Sequence, residues 1–293
     1  MKPRPSVDTS LVEVRSAGPT GNGLFATKKI QQGTRIFAEP PMISTPAPTR
    51  LQNSLDPTAF CNEVRHLSKE KLREIDQLYC IPAHINVETR ARVRQWYRDQ
   101  GITNAKGESL KGKKLQDSAK PMVKRFAIFL TNRVSMTAVD GGPRTGLFPL
   151  YSRINHSCVP NAENHFNPTL GRLTLHACRD IEAGEQILVS YIGSSSFRTR
   201  KQRADELSDW EITCGCAACI DPAIDVLRHR CFELDQGLAA YENAAQASKV
   251  GSIILPLLAS CIPRSPAEAL KLAEELVQLL ERQELTGMEL CNT

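Results

Sequence analysis

Three cysteines crowd into six residues at Cys214-Gly215-Cys216-Ala217-Ala218-Cys219, a C-x-C-x-x-C run. A tight turn brings thiols spaced this way to a common point, at the ~2.3 Å distance zinc prefers. Gly215 and the two alanines leave the backbone room to fold around an ion. A structural zinc site closes with four ligands, so the fourth must come from elsewhere in the chain. Spacing alone leaves Cys158, Cys178 and Cys231 open for that role. The opening stretch MKPRPSVDTS has no apolar run behind its basic residues and does not read as a secretory signal. The expected location is therefore the nucleus, the cytoplasm or both. In a reducing compartment, ten cysteines point to metal binding before disulfides. The competing reading is ordinary thiols in a surface turn.

The rest of the chain places this cluster in a mixed α+β protein. With 293 residues it is long enough for one good core and a smaller satellite. Hydrophobic residues make up 41% and no apolar run nears the ~20 residues a bilayer span needs, so no membrane partner is expected. The net charge of +5 is too mild to argue for nucleic acid, and there is no RNP-like aromatic strip or recognition helix. Residues 1–10 read as a flexible arm. Residues 11–55 read as a first β-rich block, with strands at LVEVRS, LFATKKI and RIFAEPPMI. A helical insert follows at 56–139, opened by Asp56-Pro57. Within it, 101–120 reads as a solvated loop, and Pro121 stands at the first position of an apolar helix, PMVKRFAIFLTNRVSM. AVDGGPRTG reads as a turn-rich loop. A second β-rich block spans 140–196, with strands at LFPLYSRI, NAENHF, RLTLHA and QILVSYI. The cysteine segment occupies 197–222, and 223–293 reads as helical, including VGSIILPLLASCI. The last helix starts at Ser265-Pro266-Ala267-Glu268, a capping box, and lines up Ala269, Leu272, Ala273, Leu276 and Leu280 on one face.

Four separated motifs, in order, resemble the SET-domain lysine methyltransferases. Gly21-Asn22-Gly23-Leu24-Phe25-Ala26 resembles the family's G-x-G segment. Arg153-Ile154-Asn155-His156-Ser157-Cys158, followed by Pro160-Asn161, resembles R-x-x-N-H-S-C-x-P-N. Gly184-Glu185-Gln186 leading to Tyr191 resembles G-E-E-L-x-x-x-Y, and Cys214–Cys219 resembles the cysteine-rich post-SET segment. A helical insert between two β-blocks, with helices after the cysteines, is most similar to the SET-and-MYND subfamily. The insert, however, offers only Cys61 and Cys80 where a MYND zinc finger needs seven cysteines and a histidine.

The resemblance implies a SET fold with a knot-like crossing. It further implies an S-adenosyl-L-methionine-dependent protein lysine N-methyltransferase acting on a lysine-bearing protein, expected as a monomer. Tyr191 is then the catalytic tyrosine, a phenol that orients the amine without carrying charge. Asn22, the backbone of Leu24, Asn132, Ser152, Asn155 and the backbone of His156 match cofactor contacts, and Ile212 would cover the adenine. Trp210 would wall the lysine channel. Aromatics are usual at both 210 and 212 in the subfamily, so Ile212 gives up a stacking contact. The crossing would bring Cys158 to Cys214, Cys216 and Cys219 as the fourth zinc ligand. Two other classes remain in play: a catalytically silent SET scaffold that binds partners through its helices, and a simple zinc-binding interaction module.

Overall fold

The computed structural model describes residues 7–47, 56–104, 106–137, 140–193, 197–246 and 262–283. The apolar stretch VGSIILPLLASCI, read above as helical, lies almost entirely outside them. In chain order the elements begin with β1 (Val12–Ser16), β2 (Asn22–Ala26), β3 (Arg35–Glu39) and β4 (Ile43–Pro46). Helices α1 (Pro57–Val64), α2 (Lys69–Asp76), α3 (Val87–Asp99) and α4 (Gly112–Asn132) follow. Next come β5 (Val134–Thr137), β6 (Pro143–Leu147), β7 (Asn155–His156), β8 (Ala162–Asn167), β9 (Arg172–Ala177) and β10 (Gln186–Val189). The chain then continues in α5 (Arg200–Leu207), α6 (Ala217–Ile220), α7 (Pro222–Gln246) and α8 (Pro266–Glu281). No helix among the described residues is long and apolar enough to cross a membrane.

The described residues fall into two compact bodies. One draws on Met1–Gly23, Arg35–Ile154 and Asn164–Leu175, the other on Leu24–Thr34, Asn155–Glu163 and His176–Thr293.

The first body holds the helical insert. The Asp56 carboxylate caps α1 by accepting from Thr58 N–H at 2.9 Å, and Asn86 caps α3 through Thr89 N–H at 2.9 Å. The core packs Phe60 of α1 against Phe126 and Phe129 of α4, with centroids 5.3 and 4.9 Å apart. Arg125 fastens α4 to α2 by two bonds to Asp76, at 2.9 and 2.8 Å. Helix α4 starts at Gly112, so the expected solvated loop is helical over nearly its last half and Pro121 lies inside the helix. Leu115, Ala119, Met122, Val123 and Phe126 form a buried stripe with helical spacing. Burial of that stripe outweighs the one backbone bond Pro121 forfeits.

Strands β4, β6 and β5 form an antiparallel sheet in that order, with Ile43 opposite Leu147 and Val134 opposite Gly146. The stretch read as a turn-rich loop thus supplies strand β6. Pro143 is tolerated as its first residue. Gly146 is required, because a Cβ there would stand 2.7 Å from the Phe148 ring and 3.1 Å from Met136 Sδ. Strands β3, β9 and β8 form a second sheet.

In the second body β2 runs antiparallel to β10, with Leu24 opposite Ile187, and β10 runs parallel to β7, with Leu188 opposite Asn155 and Val189 opposite His156. Helices α7 and α8 bury Cys231, Leu234, Leu276, Leu279 and Leu280 between them. Ser265 caps α8 by accepting from Glu268 N–H at 3.2 Å. The Glu268 carboxylate takes Arg264 N–H at 2.8 Å, so the expected capping box closes one residue earlier than its usual form.

Candidate active site and thiol cluster

Residues 214–219 turn from a loop into α6, and Cys158 follows β7 by two residues. Cys158 Sγ stands 3.9 Å from Cys214 Sγ and 3.7 Å from Cys219 Sγ. The sulfurs of Cys158, Cys214, Cys216 and Cys219 all lie within 4.8 Å of one another. Sulfurs at the corners of a tetrahedron with ~2.3 Å metal–sulfur bonds are about 3.8 Å apart. The spacing is therefore that of a four-thiolate metal site, and the donor set fits a metal ion. Of the three cysteines that spacing left open, Cys158 is the one whose sulfur joins the group. Cys231 is buried on α7, where Gln283 Nε2 donates to its sulfur at 3.5 Å. Cys178 pairs its backbone N–H with Asn161 O at 2.9 Å. Hydrogen bonds from the Cys158 and Cys214 thiols hold the Cys216 thiol well below its ordinary range, which favours a thiolate in the cluster.

Two arginines stand beside these sulfurs, and both are fully buried at 0% exposure. Arg203 of α5 donates to Ala218 O at 2.9 Å and to Cys219 Sγ at 3.6 Å. Arg228 of α7 donates to Cys158 O at 2.8 Å and to Gln283 Oε1 at 3.2 Å. Four thiolates around a divalent cation would leave two negative charges, which the two buried guanidiniums would help to offset. Neither arginine was legible in the sequence. The one hint is that Arg203 lies four residues before buried Leu207, on the same face of α5.

Tyr191 lies two residues past β10, half-buried in an apolar group with Ile192, Leu207, Trp210 and Ile212. Its ring centroid is 5.9 Å from that of Trp210 and 5.4 Å from that of His156. Burial pushes the phenol up to about 12, so it is uncharged across the neutral range. Glu211, between Trp210 and Ile212, takes the left-handed conformation at φ 56°, and Ile212 N–H returns to Leu207 O at 3.2 Å. That turn sets the two side chains predicted to flank the substrate and the adenine.

The N-H-S-C segment is anchored from both ends. Buried Asn161 accepts Leu188 N–H at 2.8 Å and donates to Gln186 O at 2.9 Å and Glu185 Oε1 at 3.0 Å. Glu185 is itself paired with Arg179 at 2.6 Å. Asn155 is half-buried on β7. His156 Nδ1 accepts Tyr191 N–H at 3.0 Å, and its Nε2 lies 3.3 Å from Cys158 Sγ. Burial pushes the imidazole down to about 4, so the ring is neutral. Leu24 is fully buried on β2.

The remaining candidates belong to the first body. Asn22 is exposed at the start of β2, directly after Gly21 at φ +82°, a backbone glycine adopts without strain. Asn132 ends α4 with its amide group donating to Tyr79 O at 2.8 Å and Ile128 O at 2.7 Å. Ser152 sits in a short 3₁₀ turn, Tyr151–Arg153, and donates to Phe148 O at 2.8 Å. Buried Glu39, which sequence reasoning passed over, accepts the N–H groups of Leu150 and Tyr151, both at 2.9 Å, and so holds the start of that turn.

Comparison with known proteins gives these positions a family. The histone-lysine N-methyltransferase set5 of Schizosaccharomyces pombe is 29% identical over 212 residues, which are 72% of this chain and 51% of that protein. The protein-lysine N-trimethyltransferase SMYD5 of Gallus gallus is 42% identical over 83 residues, 28% of this chain and 20% of the relative. The chain thus spans about half the length, or less, of these curated relatives. Among solved structures, Rubisco LSMT bound to sinefungin and monomethyllysine is 16% identical, with a TM-score of 0.39 over 95% of this chain and 73% of that one. The SET domain family profile matches residues 21–192, a span that holds Asn22, Asn155, His156, Cys158 and Tyr191. Matched over more than half its length, the chain belongs to the SET-domain family.

Proposed function

We propose that this protein is an S-adenosyl-L-methionine-dependent protein lysine N-methyltransferase, working as a monomer in the nucleus or cytoplasm. The observation that carries the reading is the grouping of Tyr191, His156 and Asn155, on motifs that the SET match covers, with Trp210 in the same body. The relatives' names support the same reaction class. The cofactor supplies a methyl group made electrophilic by a sulfonium. The chain's own residues then have three tasks.

The first is to hold the cofactor. Asn155, the backbones of His156 and Leu24, and Ile212 as apolar cover are assigned to it; Asn22, Asn132 and Ser152 are assigned to it on the family resemblance alone. With its amide hydrogens committed to two carbonyls, Asn132 offers its Oδ1 as an acceptor, which suits an amino acid ammonium. The second task is to receive the lysine as a free amine. Its unperturbed pKa is about 10.4, and an apolar wall of Trp210 and Tyr191 disfavours the charged form. The third is to orient that amine. A phenol uncharged up to about pH 12 does this without adding a charge that would pin the amine as a cation.

We assign Zn2+ to the four thiolates of Cys158, Cys214, Cys216 and Cys219 as a structural ion. A closed all-sulfur tetrahedron is the typical structural zinc site. The ion would tie the segment after β7 to the tail that carries Trp210 and Ile212.

Steady-state kinetics of Tyr191→Phe against a lysine-bearing protein pool, with calorimetric cofactor binding alongside, tests the reading. Turnover should fall at least about 100-fold, on the scale of a lost catalytic positioning group, with cofactor affinity little changed. Undiminished turnover removes Tyr191 from the mechanism. Cofactor binding with no transfer by the unaltered protein to any lysine supports instead a silent scaffold.

A further inference from the structure

We propose that His156 is a positioning residue that couples the four-thiolate cluster to Tyr191 through the two nitrogens of its ring. The proposal rests on the assignment of Tyr191 to catalysis and of a metal to the cluster. A nitrogen that accepts a backbone N–H carries no proton, so the 3.0 Å bond from Tyr191 N–H to Nδ1 places the ring proton on Nε2. That proton then faces Cys158 Sγ at 3.3 Å. One imidazole therefore spans from a cluster sulfur to the backbone of the tyrosine.

A metal-bound thiolate is a charged acceptor and fixes such an N–H donor in tautomer and direction. The ring has little other freedom. His156 sits on β7 opposite Val189 of β10, and Ser157 N–H bonds Val189 O at 3.0 Å. Its face meets the Tyr191 ring at 51°. With the cluster filled, the imidazole would be locked and would hold Tyr191 N–H in place. In this account the metal serves the reaction through His156 as well as through the fold. The side chain thereby gains a role beyond the backbone contact to the cofactor assigned to this position.

The test uses the full chain loaded with cadmium-113 and examined by proton–cadmium and imidazole nitrogen-15 NMR, beside kinetics of His156→Phe and His156→Gln. The expected spectrum shows His156 as the Nε2–H tautomer, with a scalar coupling from that proton to the metal through Cys158. His156→Phe keeps the metal and binds cofactor within about threefold of the parent, while kcat falls about 10- to 100-fold, the range for loss of a group that orients a metal ligand. His156→Gln offers an acceptor and a donor about as far apart as the two ring nitrogens, and recovers part of that loss. An Nδ1–H tautomer, absence of the coupling in the metal-loaded protein, or full kcat in His156→Phe overturns the proposal. If His156→Phe fails to fold, the His156→Gln kinetics and the parent's spectrum still decide it. A chain that takes up no metal defeats the zinc assignment instead, and one that transfers no methyl group defeats the functional reading, while the spectrum remains an independent readout.

Discussion

Replacing Glu39 by glutamine should change how the stability of this protein responds to pH. Glu39 ends β3 at 5% exposure, with Leu150 N–H on one carboxylate oxygen and Tyr151 N–H on the other, both at 2.9 Å. Burial pushes the carboxyl from 4.5 up to about 7, against the pull of those two donors. Below about pH 4.5 the folded and unfolded chains both carry the proton, and burial has no charge to penalise. As pH rises further the unfolded chain releases its proton first, so stability falls until the folded carboxyl also ionises near pH 7. The gap between 4.5 and about 7 corresponds to about 3 kcal/mol. Glutamine keeps the shape and one acceptor oxygen but never ionises. Urea unfolding of both proteins between pH 4.5 and 8 measures the effect. The stability of the parent relative to Glu39→Gln should drop by about 3 kcal/mol across that window, with most of the change between pH 5 and 7. A difference that stays flat would refute the reasoning. It would mean that the two N–H groups hold the carboxylate ionised at its ordinary pKa and that burial carries no penalty. Glu39→Ala removes both acceptors and leaves two inward N–H groups without their carboxylate; it should cost about 3–5 kcal/mol near pH 4.5, and that cost should shrink by the same ~3 kcal/mol as pH rises to 8.

Other outcomes are expected at the cluster and in the sheets. Arg203→Met and Arg228→Met each remove a buried cation next to the thiolates, and competition with a chromophoric chelator should show metal affinity lowered about 10- to 100-fold; unchanged affinity would mean that the charges are balanced elsewhere. Cys158→Ser should lower metal content as much as Cys216→Ser, while Cys178→Ser and Cys231→Ser retain it, as read by elemental analysis. The reverse pattern would break the ligand set. Gly146→Ala drives a methyl group to 2.7 Å from the Phe148 ring and should destabilise by about 1–3 kcal/mol in thermal or urea unfolding, whereas Gly171→Ala meets no atom within 4 Å and should show only the strain of its positive φ.

The legible parts of this protein are those in which the residue types themselves state the chemistry. C-x-C-x-x-C announces a thiol cluster, and N-H-S-C with G-E-Q and Tyr191 announces the family. The period-two run RLTLHA became β9 as read, and the Asp56 and Ser265 caps opened α1 and α8 as read. The misreadings share a physical cause: local rules were overridden by burial. Pro121 looked like a helix start, but the stripe from Leu115 to Phe126 carries α4 through it. Part of the turn-like GGPRTG, residues 143–146, entered strand β6, where Gly146 fits closely against Phe148 and Met136, a fit visible only in three dimensions. Glu39, Arg203 and Arg228 are charged side chains made buried by distant partners: Leu150 and Tyr151 for the first, the cysteines for the other two. Such pairings have no fixed spacing in a chain. The link from His156 to both Cys158 and Tyr191 was hidden for the same reason, since only the parallel pairing of β7 with β10 brings the histidine to Tyr191.

The central claim is that Tyr191 and the residues grouped around it transfer a methyl group to a protein lysine. Its most direct test is to incubate the purified protein with methyl-labelled S-adenosyl-L-methionine and a cell lysate, then locate the label by peptide mass spectrometry, with Tyr191→Phe run in parallel. The label should appear on lysine ε-amines with the parent protein and be lost with Tyr191→Phe, while both proteins carry the same amount of metal. Label confined to residues other than lysine, or equal lysine labelling by the two proteins, would contradict the account.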